Sequence, residues 1–527
     1  MITLIILLPI IGSLFFFNIQ ETTGNSDLDT KNNSIIKQIG LSTSLVTLIL
    51  TLILFSQINN SAIGFQYTNY FTPFGVLGID SISIFYILLT AFITPIALLS
   101  DWESITSKVK YFVFSFLLLE SLQIAFFSVT DLFMFYIYFE SVLIPLFLIV
   151  GIYGASSARI RAAFLLFMYT LFGSLFMLLA ILFIKYNLGT TDFNLLGLYD
   201  LAFDSKGWIF FAFLIAFAIK SPLYPFHLWL FRAHAESCLA GSVILAAIIL
   251  KLATYGYIRI SLNLLPEFSM SNQYIIQSLA LITLVYSSLV VLRQVDTKAI
   301  VAYSSVSHVS VIILGLFSNT LQGIEGAILL SLAHGFVSPA LFIFVGGIIY
   351  SRYHTRVINY YRGLTVTMPI FGLLFFIFTV FNAGAPLSVN FIGEFLALAG
   401  TFDNSPLVGL IGATGIVFSA VYSIFLFNRI AFLNYSPFFN RSTVNTKTDT
   451  KLLLGDLTRR EFFLMLPLLI ATVGFGIFPN TILDSLHYPV SQLLINIDDK
   501  VNLANNFYIT ANTLTLNPMI SAEYLLN

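Results

Sequence analysis

The stretch KSPLYPFHLWLFRAHAE, at residues 220–236, decides how this chain folds. It lies between long apolar runs, yet it contains a lysine, two prolines, two histidines, an arginine and a glutamate. Pro222 and Pro225 each lack a backbone N–H and clash with the carbonyl group four residues earlier. The carbonyl groups that they free need water or polar side chains, so we predict a broken helix that faces a hydrated or protein-lined cavity.

The composition around this stretch is that of a membrane protein. Of the 527 residues, 58% are hydrophobic and 9% are charged, whereas about 25% of the residues in a soluble domain are charged. Apolar runs of roughly 20 residues, the length that crosses a bilayer, recur along the chain. Porin strands would be shorter and would alternate in polarity. We therefore predict an all-α polytopic protein, and its single cysteine, Cys238, excludes an internal disulfide and a cysteine-rich metal site.

The predicted spans are separated by polar loops. The twelfth span is too long for one straight helix and contains FNAGAPLSVNF at 381–391, so we predict a break there, at Pro386. The polar stretches 19–37, 433–460 and 480–527 are interpreted as loops or tail. The 14 spans are placed at about 1–18, 38–56, 79–100, 111–129, 131–151, 162–184, 207–230, 239–258, 273–292, 299–317, 322–349, 365–400, 405–428 and 461–479.

Charged residues predict the topology of these spans. Most of the 24 Lys and Arg residues fall in odd-numbered loops, which therefore face the cytoplasm or matrix, with both termini on the other side. Glu140 and His308, and likewise Lys220 and Glu394, are separated by nearly equal lengths of chain. A five-span unit crosses the membrane an odd number of times, so two in tandem are inverted, as in secondary transporters.

Several ionisable residues lie inside the predicted spans. A charge at the centre of a span costs about 2.5–3.5 kcal/mol on insertion scales and therefore faces a partner or water. Structural alternatives exist, such as a helix–helix ion pair for Glu140 or a structural role for Glu120. The segment RAHAE, residues 232–236, is interpreted as a surface connection. The buried set is Glu120, Glu140, Lys220, His227, Lys251, His308, Glu325, His334 and Glu394.

This set has the chemistry of a proton relay. Burial disfavours the charged form of a lysine, and a nearby carboxylate favours it. At ~7 Å and an effective dielectric of about 20, a unit pair is worth roughly 2.4 kcal/mol. Small movements of Glu140 would therefore switch Lys220 between holding and releasing a proton. Tyr224 and His227 share a face with Lys220 if the helix is continuous, and Ser304 can carry water beside the histidines.

Long motifs resemble the antiporter-like subunits of respiratory complex I. They are IKSPLYPFHLWLFRAHAESCLAGSVILAAIILKLATYGYIRI at 219–260, YSSVSHVSVIILG at 303–315, LAHGFVSPALFIFVGGIIYSRYHTRVINYYRGL at 332–364, APLSVNFIGEF at 385–395 and DLTRREFFLMLPLLIATVGFGIFPN at 456–480. The resemblance covers most of residues 75–485. Two departures occur: Phe231-Arg232 stands where the family usually has Pro-Lys, and Ser237-Cys238 where it often has Ala-Pro.

The resemblance implies the architecture. It implies 14 transmembrane helices, with two inverted five-helix repeats (helices 4–8 and 9–13) and broken helices 7 and 12. The chain then divides into four parts. These are 1–110 with helices 1–3, 111–260 with the first repeat, 261–432 with the second repeat, and 433–527 with a loop, helix 14 and a polar tail.

The resemblance also implies functional residues at matching positions. The proton relay would consist of Glu140, Lys220, Lys251, Glu394, His308 and His334. From the residues themselves, we further predict supporting roles for His227, Tyr224, Glu120 and Ser304 and helix breaks at Pro222, Pro225 and Pro386. The resemblance implies no cofactor or metal in this chain, with NADH, FMN, iron–sulfur clusters and ubiquinone in other subunits.

The implied setting is the mitochondrial inner membrane, with odd-numbered loops in the matrix and both termini on the intermembrane-space side. The implied partners are other complex I membrane subunits, especially the antiporter-like subunits 2 and 5, accessory subunits and lipids such as cardiolipin, and no nucleic acid. Two alternatives remain: a subunit of a cation/proton antiporter or membrane-bound hydrogenase, and a scaffold whose buried charges only clamp helices together.

Overall fold

The protein is an α-helical bundle. The structure is a computed structural model and describes residues 1–19, 21, 26–59, 62, 64–70, 72–197, 203–434 and 455–516. Within these residues, 11 helices are long and apolar enough to cross a membrane. This confirms the prediction of a polytopic helical membrane protein, to which the structure adds one small antiparallel hairpin in which Gln66 lies opposite Ile79.

The amino-terminal part contains four helices and the hairpin. The prediction that 19–37 is a loop is wrong from Ser26 onward, because α2 includes this polar segment. Lys37 Nζ donates to the carbonyl oxygens of Trp102 and Ile105 at 2.6 and 2.7 Å, which fixes the polar end of the helix. The elements are α1 Ile2–Phe17, α2 Ser26–Gln57, β1 Gln66–Asn69, β2 Leu77–Ile79, α3 Ser83–Ser100 and α4 Val109–Ser128.

The broken helix predicted at residues 220–236 is present. One helix ends at Lys220 and the next begins at Leu228. The elements of this part are α5 Leu132–Ser141, α6 Leu143–Tyr153, α7 Arg159–Leu188, α8 Phe193–Leu196, α9 Phe203–Lys220, α10 Leu228–Glu236, α11 Leu239–Ile244 and α12 Leu250–Gly256, with π-helical turns at Leu245–Ile249 and Tyr257–Leu262.

A second break follows Asn382, and the helix resumes at Val389. Gly384 and Leu387 in this break have positive φ angles of +73° and 73°. The elements are α13 Pro266–Ser271, α14 Gln273–Val291, α15 Thr297–Leu316, α16 Leu321–Phe342, α17 Tyr350–Tyr353, α18 Leu364–Thr367, α19 Pro369–Asn382, α20 Val389–Asn404 and α21 Pro406–Ala431, with a π-helical turn at Ile343–Ile349 and a 3₁₀ turn at Ile358–Tyr360.

The carboxyl-terminal part contains α22 Arg459–Ile477 and α23, Asn480–Leu516. The interpretation of 480–527 as a tail is therefore wrong as far as Leu516, while most of the predicted loop 433–460 lies outside the described residues. An apolar stripe at helical spacing buries α23 against the bundle. Its members are Ile482, Leu486, Val490, Leu493 and Ile497.

The core of the bundle lies in three segments: 239–262, α15 and α16. The apolar residues of these three segments are buried inside the bundle, whereas α7 and α21 expose much of their surface. Helix α16 packs against α15, α20 and α23. Most of the ionisable residues predicted for the site are carried by these central segments or by elements that contact them.

Candidate functional site

The first pair of predicted residues is Glu140 and Lys220. Lys220, the last residue of α9, is 1% exposed. Its Nζ donates to the carbonyl oxygen of Phe139 at 2.8 Å and lies 3.7 Å from the centroid of that ring. Glu140, next to Phe139 in α5, interacts electrostatically with Lys220. Oε1 of Glu140 is buried and has no hydrogen-bond partner among the described residues. The structure thus brings the predicted carboxylate and lysine together.

The break after Lys220 satisfies part of its own backbone. The indole Nε1 of Trp229 donates to the carbonyl oxygen of Ile219 at 2.9 Å, and the N–H of Tyr224 donates to Oγ1 of Thr283 at 2.9 Å. Pro222 and Pro225 both lie in the non-helical residues 221–227. Lys220, Tyr224 and His227 were expected to share one helical face only if the helix were continuous, and this condition is not met, because the helix ends at Lys220.

His227 lies among aromatic rings. Its ring centroid is 5.6 Å from that of Tyr224, 5.2 Å from that of Tyr286 and 6.1 Å from that of Tyr303. Phe231, one of the departures from the family pattern, stacks on Tyr303 at 5.3 Å. Both ring nitrogens of His227 are buried, and neither has a hydrogen-bond partner among the described residues.

Lys251 and His334 form a direct contact. Lys251 Nζ lies 2.7 Å from Nδ1 of His334 and donates to the carbonyl oxygen of Ala246 at 2.7 Å. Both side chains are 1% exposed. Lys251 follows the π-helical turn Leu245–Ile249, and such turns often occur at functional sites. The open backbone there supplies the carbonyl that holds the lysine.

His308 and Glu394 continue from this contact. The ring of His308 lies 5.7 Å from that of His334, and its Nδ1 lies 2.9 Å from Oε1 of Glu394. We name Lys251, His334, His308 and Glu394 the central row. Gly384, in the break that also contains Pro386, approaches Glu394 so closely that an added Cβ would lie 2.5 Å from Oε2. The break in the second helix thus positions the terminal acid.

One functional candidate was missed. His234 lies in the RAHAE segment, which we interpreted as surface, but it is 0% exposed and stacks on Phe342 at 4.5 Å and 7°. Neither ring nitrogen has a hydrogen-bond partner among the described residues. Lys251 and the buried Lys298 both interact with His234 electrostatically. Helix α10 turns this residue inward, which the short polar segment did not reveal.

Two supporting residues lie apart from these contacts. Oγ of Ser304 donates within its own helix to the carbonyl oxygen of Val301 at 2.7 Å. Glu120 is hydrogen-bonded with Thr47 of α2.

Among the described residues, no cluster of three or more His, Cys, Asp or Glu side chains could hold a metal ion. Cys238 is buried, and its Sγ accepts from the N–H of Gly241 at 3.4 Å.

The contacts form a buried row of groups that can bind protons. Lysine, histidine and glutamate follow one another inside an apolar bundle, and histidine changes charge near neutral pH. Such intramembrane residues mark ion or proton pathways in transport proteins. The arrangement can therefore move protons, and it contains no nucleophile–base pair that would indicate hydrolysis.

The sequence of this chain is similar to those of proteins of known identity. Residues 129–419 match the family model described as NADH:quinone oxidoreductase/Mrp antiporter, TM. The chain is 53% identical over 498 residues to NADH-ubiquinone oxidoreductase chain 4 of Mycosarcoma maydis, covering 94% of this chain and 99% of that protein. It is 42% identical over 496 residues to chain 4 of Arabidopsis thaliana, covering 93% and 96%.

Solved structures share the fold. A chain of respiratory complex I from Thermus thermophilus with bound NADH matches with a TM-score of 0.79 and 27% identity, covering 94% of this chain and 100% of that one. A chain of the Mrp complex from a Dietzia species matches in fold with a TM-score of 0.80 at 18% identity, covering 94% and 97%. The chain therefore belongs to the NADH-ubiquinone oxidoreductase chain 4 family, the antiporter-like, proton-translocating membrane-arm subunits of complex I.

Proposed function

We propose that the pair Glu140 and Lys220 and the central row form the relay through which this subunit moves protons. The central row supports this proposal most directly. Its four proton-binding side chains follow one another within the buried bundle. Lys251 Nζ lies 2.7 Å from His334 Nδ1, the two histidine ring centroids are 5.7 Å apart, and His308 Nδ1 lies 2.9 Å from Glu394 Oε1. Electron transfer from NADH to quinone, in other subunits, would drive the relay.

Each station has a defined proton step. Lys251 as an ammonium donates to Nδ1 of neutral His334, and the resulting imidazolium releases its other proton from Nε2. That nitrogen has no hydrogen-bond partner among the described residues. One water can bridge the two histidine rings, and His308 then exchanges a proton with Glu394. The same steps run in reverse, so the row can carry protons in either direction.

His234 extends the relay in this proposal. It is a buried imidazole that interacts electrostatically with both Lys251 and Lys298. Lys298 Nζ donates to the carbonyl oxygen of Ser237 at 3.0 Å and lies at the start of α15. His234 would therefore exchange protons between the central row and Lys298 at the start of α15.

The proposal includes the topology. Adding the short α1 and the two broken pairs, α9 with α10 and α19 with α20, to the 11 long helices supports 14 transmembrane helices. We propose inverted repeats at helices 4–8 and 9–13, within 111–260 and 261–432, flanked by 1–110 and 433–527. Lys and Arg in the odd-numbered loops support a matrix orientation for them in the mitochondrial inner membrane.

The proposed partners are other complex I membrane subunits, especially antiporter-like subunits 2 and 5, together with accessory subunits and lipids such as cardiolipin. Exposed apolar residues on α7 and α21 provide surfaces against which such neighbours can pack; examples are Phe164, Met168 and Leu410. We place NADH, FMN, the iron–sulfur clusters and ubiquinone in other subunits.

Glu140→Gln tests the relay. The amide keeps the size of the side chain but holds no exchangeable charge. We therefore expect NADH-driven proton pumping and ubiquinone reduction to fall by about tenfold or more, which corresponds to an activation barrier higher by ~1.4 kcal/mol or more. Both rates are measured in assembled complex, with NADH:ferricyanide activity as the measure of enzyme content. Glu325→Gln is the matched control, because Glu325 is buried but pairs with His487 outside the relay.

Three results would count against the proposal. Full pumping and full ubiquinone reduction in Glu140→Gln would show that this carboxyl carries no proton. Loss of assembly with a normal rate per assembled complex would favour the scaffold reading. Sodium dependence of transport in the parent complex would favour the cation/proton antiporter reading, for which the fold shared with the Mrp complex is the supporting observation.

A further inference from the structure

Helices α2, α3 and α4 enclose a second buried carboxyl, apart from the relay. Glu120 lies near the middle of α4 and is 0% exposed. It falls outside residues 129–419, which match the family model. Its carboxyl is hydrogen-bonded with the hydroxyl of Thr47 on α2 through Oε1, and the hydroxyl of Thr94 on α3 lies near it. Among the described residues, no charged or titratable side chain interacts with it.

The hydrogen bonds around Thr47 indicate where a proton lies. Oγ1 of Thr47 is within hydrogen-bond distance of two oxygens, the carbonyl of Ser44 at 2.7 Å and Oε1 of Glu120. A hydroxyl has one proton to donate, and a carbonyl oxygen can only accept. A threonine inside a helix commonly donates to a carbonyl of the preceding turn. With that proton given to Ser44, the second hydrogen bond requires a proton on Glu120.

The other oxygen leads to the same conclusion. Oε2 of Glu120 has no hydrogen-bond partner among the described residues. An ionised carboxylate buried without a cation and with one oxygen unsatisfied is strongly unfavourable, whereas the neutral acid needs only ordinary hydrogen bonds. The neutral acid is therefore the form that fits this surrounding.

Gln123 adds an independent observation. It lies one turn further along α4, is 0% exposed, and neither its amide oxygen nor its amide nitrogen has a partner among the described residues. Residues three apart on a helix are neighbours on its surface. Buried water characteristically joins polar groups that are otherwise unsatisfied. A water between Oε2 of Glu120 and the amide of Gln123 would satisfy both.

We propose that Glu120 is a second proton-binding site of this subunit, separate from the relay, with its proton donated to Thr47 and with water held between its other oxygen and Gln123. The ligand class is a proton and a neutral water molecule. The site would place a proton-holding group where α2 and α3 pack against α4, the first helix of the proposed first repeat. It stands whether or not Glu140 and Lys220 carry protons, since none of the relay residues contacts it.

Infrared difference spectra of the assembled complex at neutral pH test this site. Subtracting the Glu120→Gln spectrum from the parent spectrum is expected to show loss of a carboxylic-acid C=O band that shifts in D₂O. Glu103→Gln is the matched control, because Glu103 is exposed and pairs with Arg460 at 2.7 Å. That variant should lose carboxylate bands only. Thr47→Val, which removes the acceptor hydroxyl, should move the acid band of Glu120 to higher frequency.

Each other outcome has a definite meaning. Loss of a carboxylate band in Glu120→Gln would overturn the proposal. A carboxylate band that moves when sodium replaces potassium would also overturn it and would identify a cation site. If Glu120→Gln does not assemble, the Thr47→Val spectrum decides, because an unchanged acid band there would contradict the assigned hydrogen bond.

Discussion

The two helix breaks hold their ionisable groups in different ways. In the first, Lys220 is the final residue of α9 and is held by a backbone carbonyl and the ring of Phe139. In the second, Glu394 lies beyond the break, on α20, and is held by the side chain of His308 and the close approach of Gly384. The first break thus comes directly after Lys220 in the chain, whereas the second break comes before Glu394.

This difference has a functional consequence. A carbonyl oxygen and the carboxyl end of a helix attract the Lys220 ammonium but cannot change their own charge. His308, in contrast, has an imidazole side chain, which exists in a neutral and a charged form, so the charge beside Glu394 can change. The first break therefore depends on Glu140 for switching, whereas the second contains its own titratable partner.

Lys220→Met would break the comparison at the first site and is expected to have the largest effect. The methionine fills similar space but cannot hold a proton, and the neighbouring carbonyl of Phe139 cannot replace it. We expect proton pumping by assembled complex to fall by about tenfold or more. Lys185→Met is the matched control, because this lysine also lies over a phenylalanine ring, that of Phe133 at 5.5 Å, but is exposed. Pumping equal to that of the control would contradict the comparison.

Gly384→Ala would test the second break with an intermediate effect. The φ angle of +73° disfavours any side chain by about 1–2 kcal/mol, and the new Cβ would meet Oε2 of Glu394 at 2.5 Å. We expect ubiquinone reduction to fall several-fold as the carboxyl moves away from His308. Gly474→Ala is the control, because nothing lies within 4 Å of its added Cβ. Equal rates in the two variants would show that the carboxyl position is not critical.

His487→Gln is expected to have the smallest effect. The Glu325–His487 contact at 2.9 Å joins α23 to α16, which packs against the second break, but the histidine side chain is 61% exposed. Exposed pairs contribute about 0.2–1 kcal/mol. We expect slightly faster thermal inactivation of the assembled complex and an unchanged rate of ubiquinone reduction. A large loss of rate would mean that α23 positions the second break rather than only covering it.

The sequence predicted both breaks because proline acts locally. Pro222, Pro225 and Pro386 each remove a backbone donor wherever the chain goes, and all three lie in the non-helical breaks. The polar start of α2 and the whole of α23 were missed, because hydropathy identifies membrane spans and not helices as such. The stripe from Ile482 to Ile497 was the available signal for α23.

Burial of His234 could not be predicted in the same way. Its segment is short and contains Arg232 and Glu236, and the direction in which α10 presents each side chain depends on how the chain leaves the break. Arg232 is exposed and His234 is buried two residues later. Nothing in the local pattern distinguishes these two positions without the packing of Phe342 against the imidazole.

The sequence by itself determined that this chain crosses the membrane many times and where its helices break at proline, because hydropathy and the missing proline N–H act on each segment independently of its neighbours. It also predicted most of the buried ionisable residues of the site, but not His234. Only the tertiary structure decided that Lys251 meets His334, that His308 meets Glu394 and that Glu120 meets Thr47. These pairs lie far apart in the chain, and their contacts depend on helix packing, which places side chains across helices rather than along them.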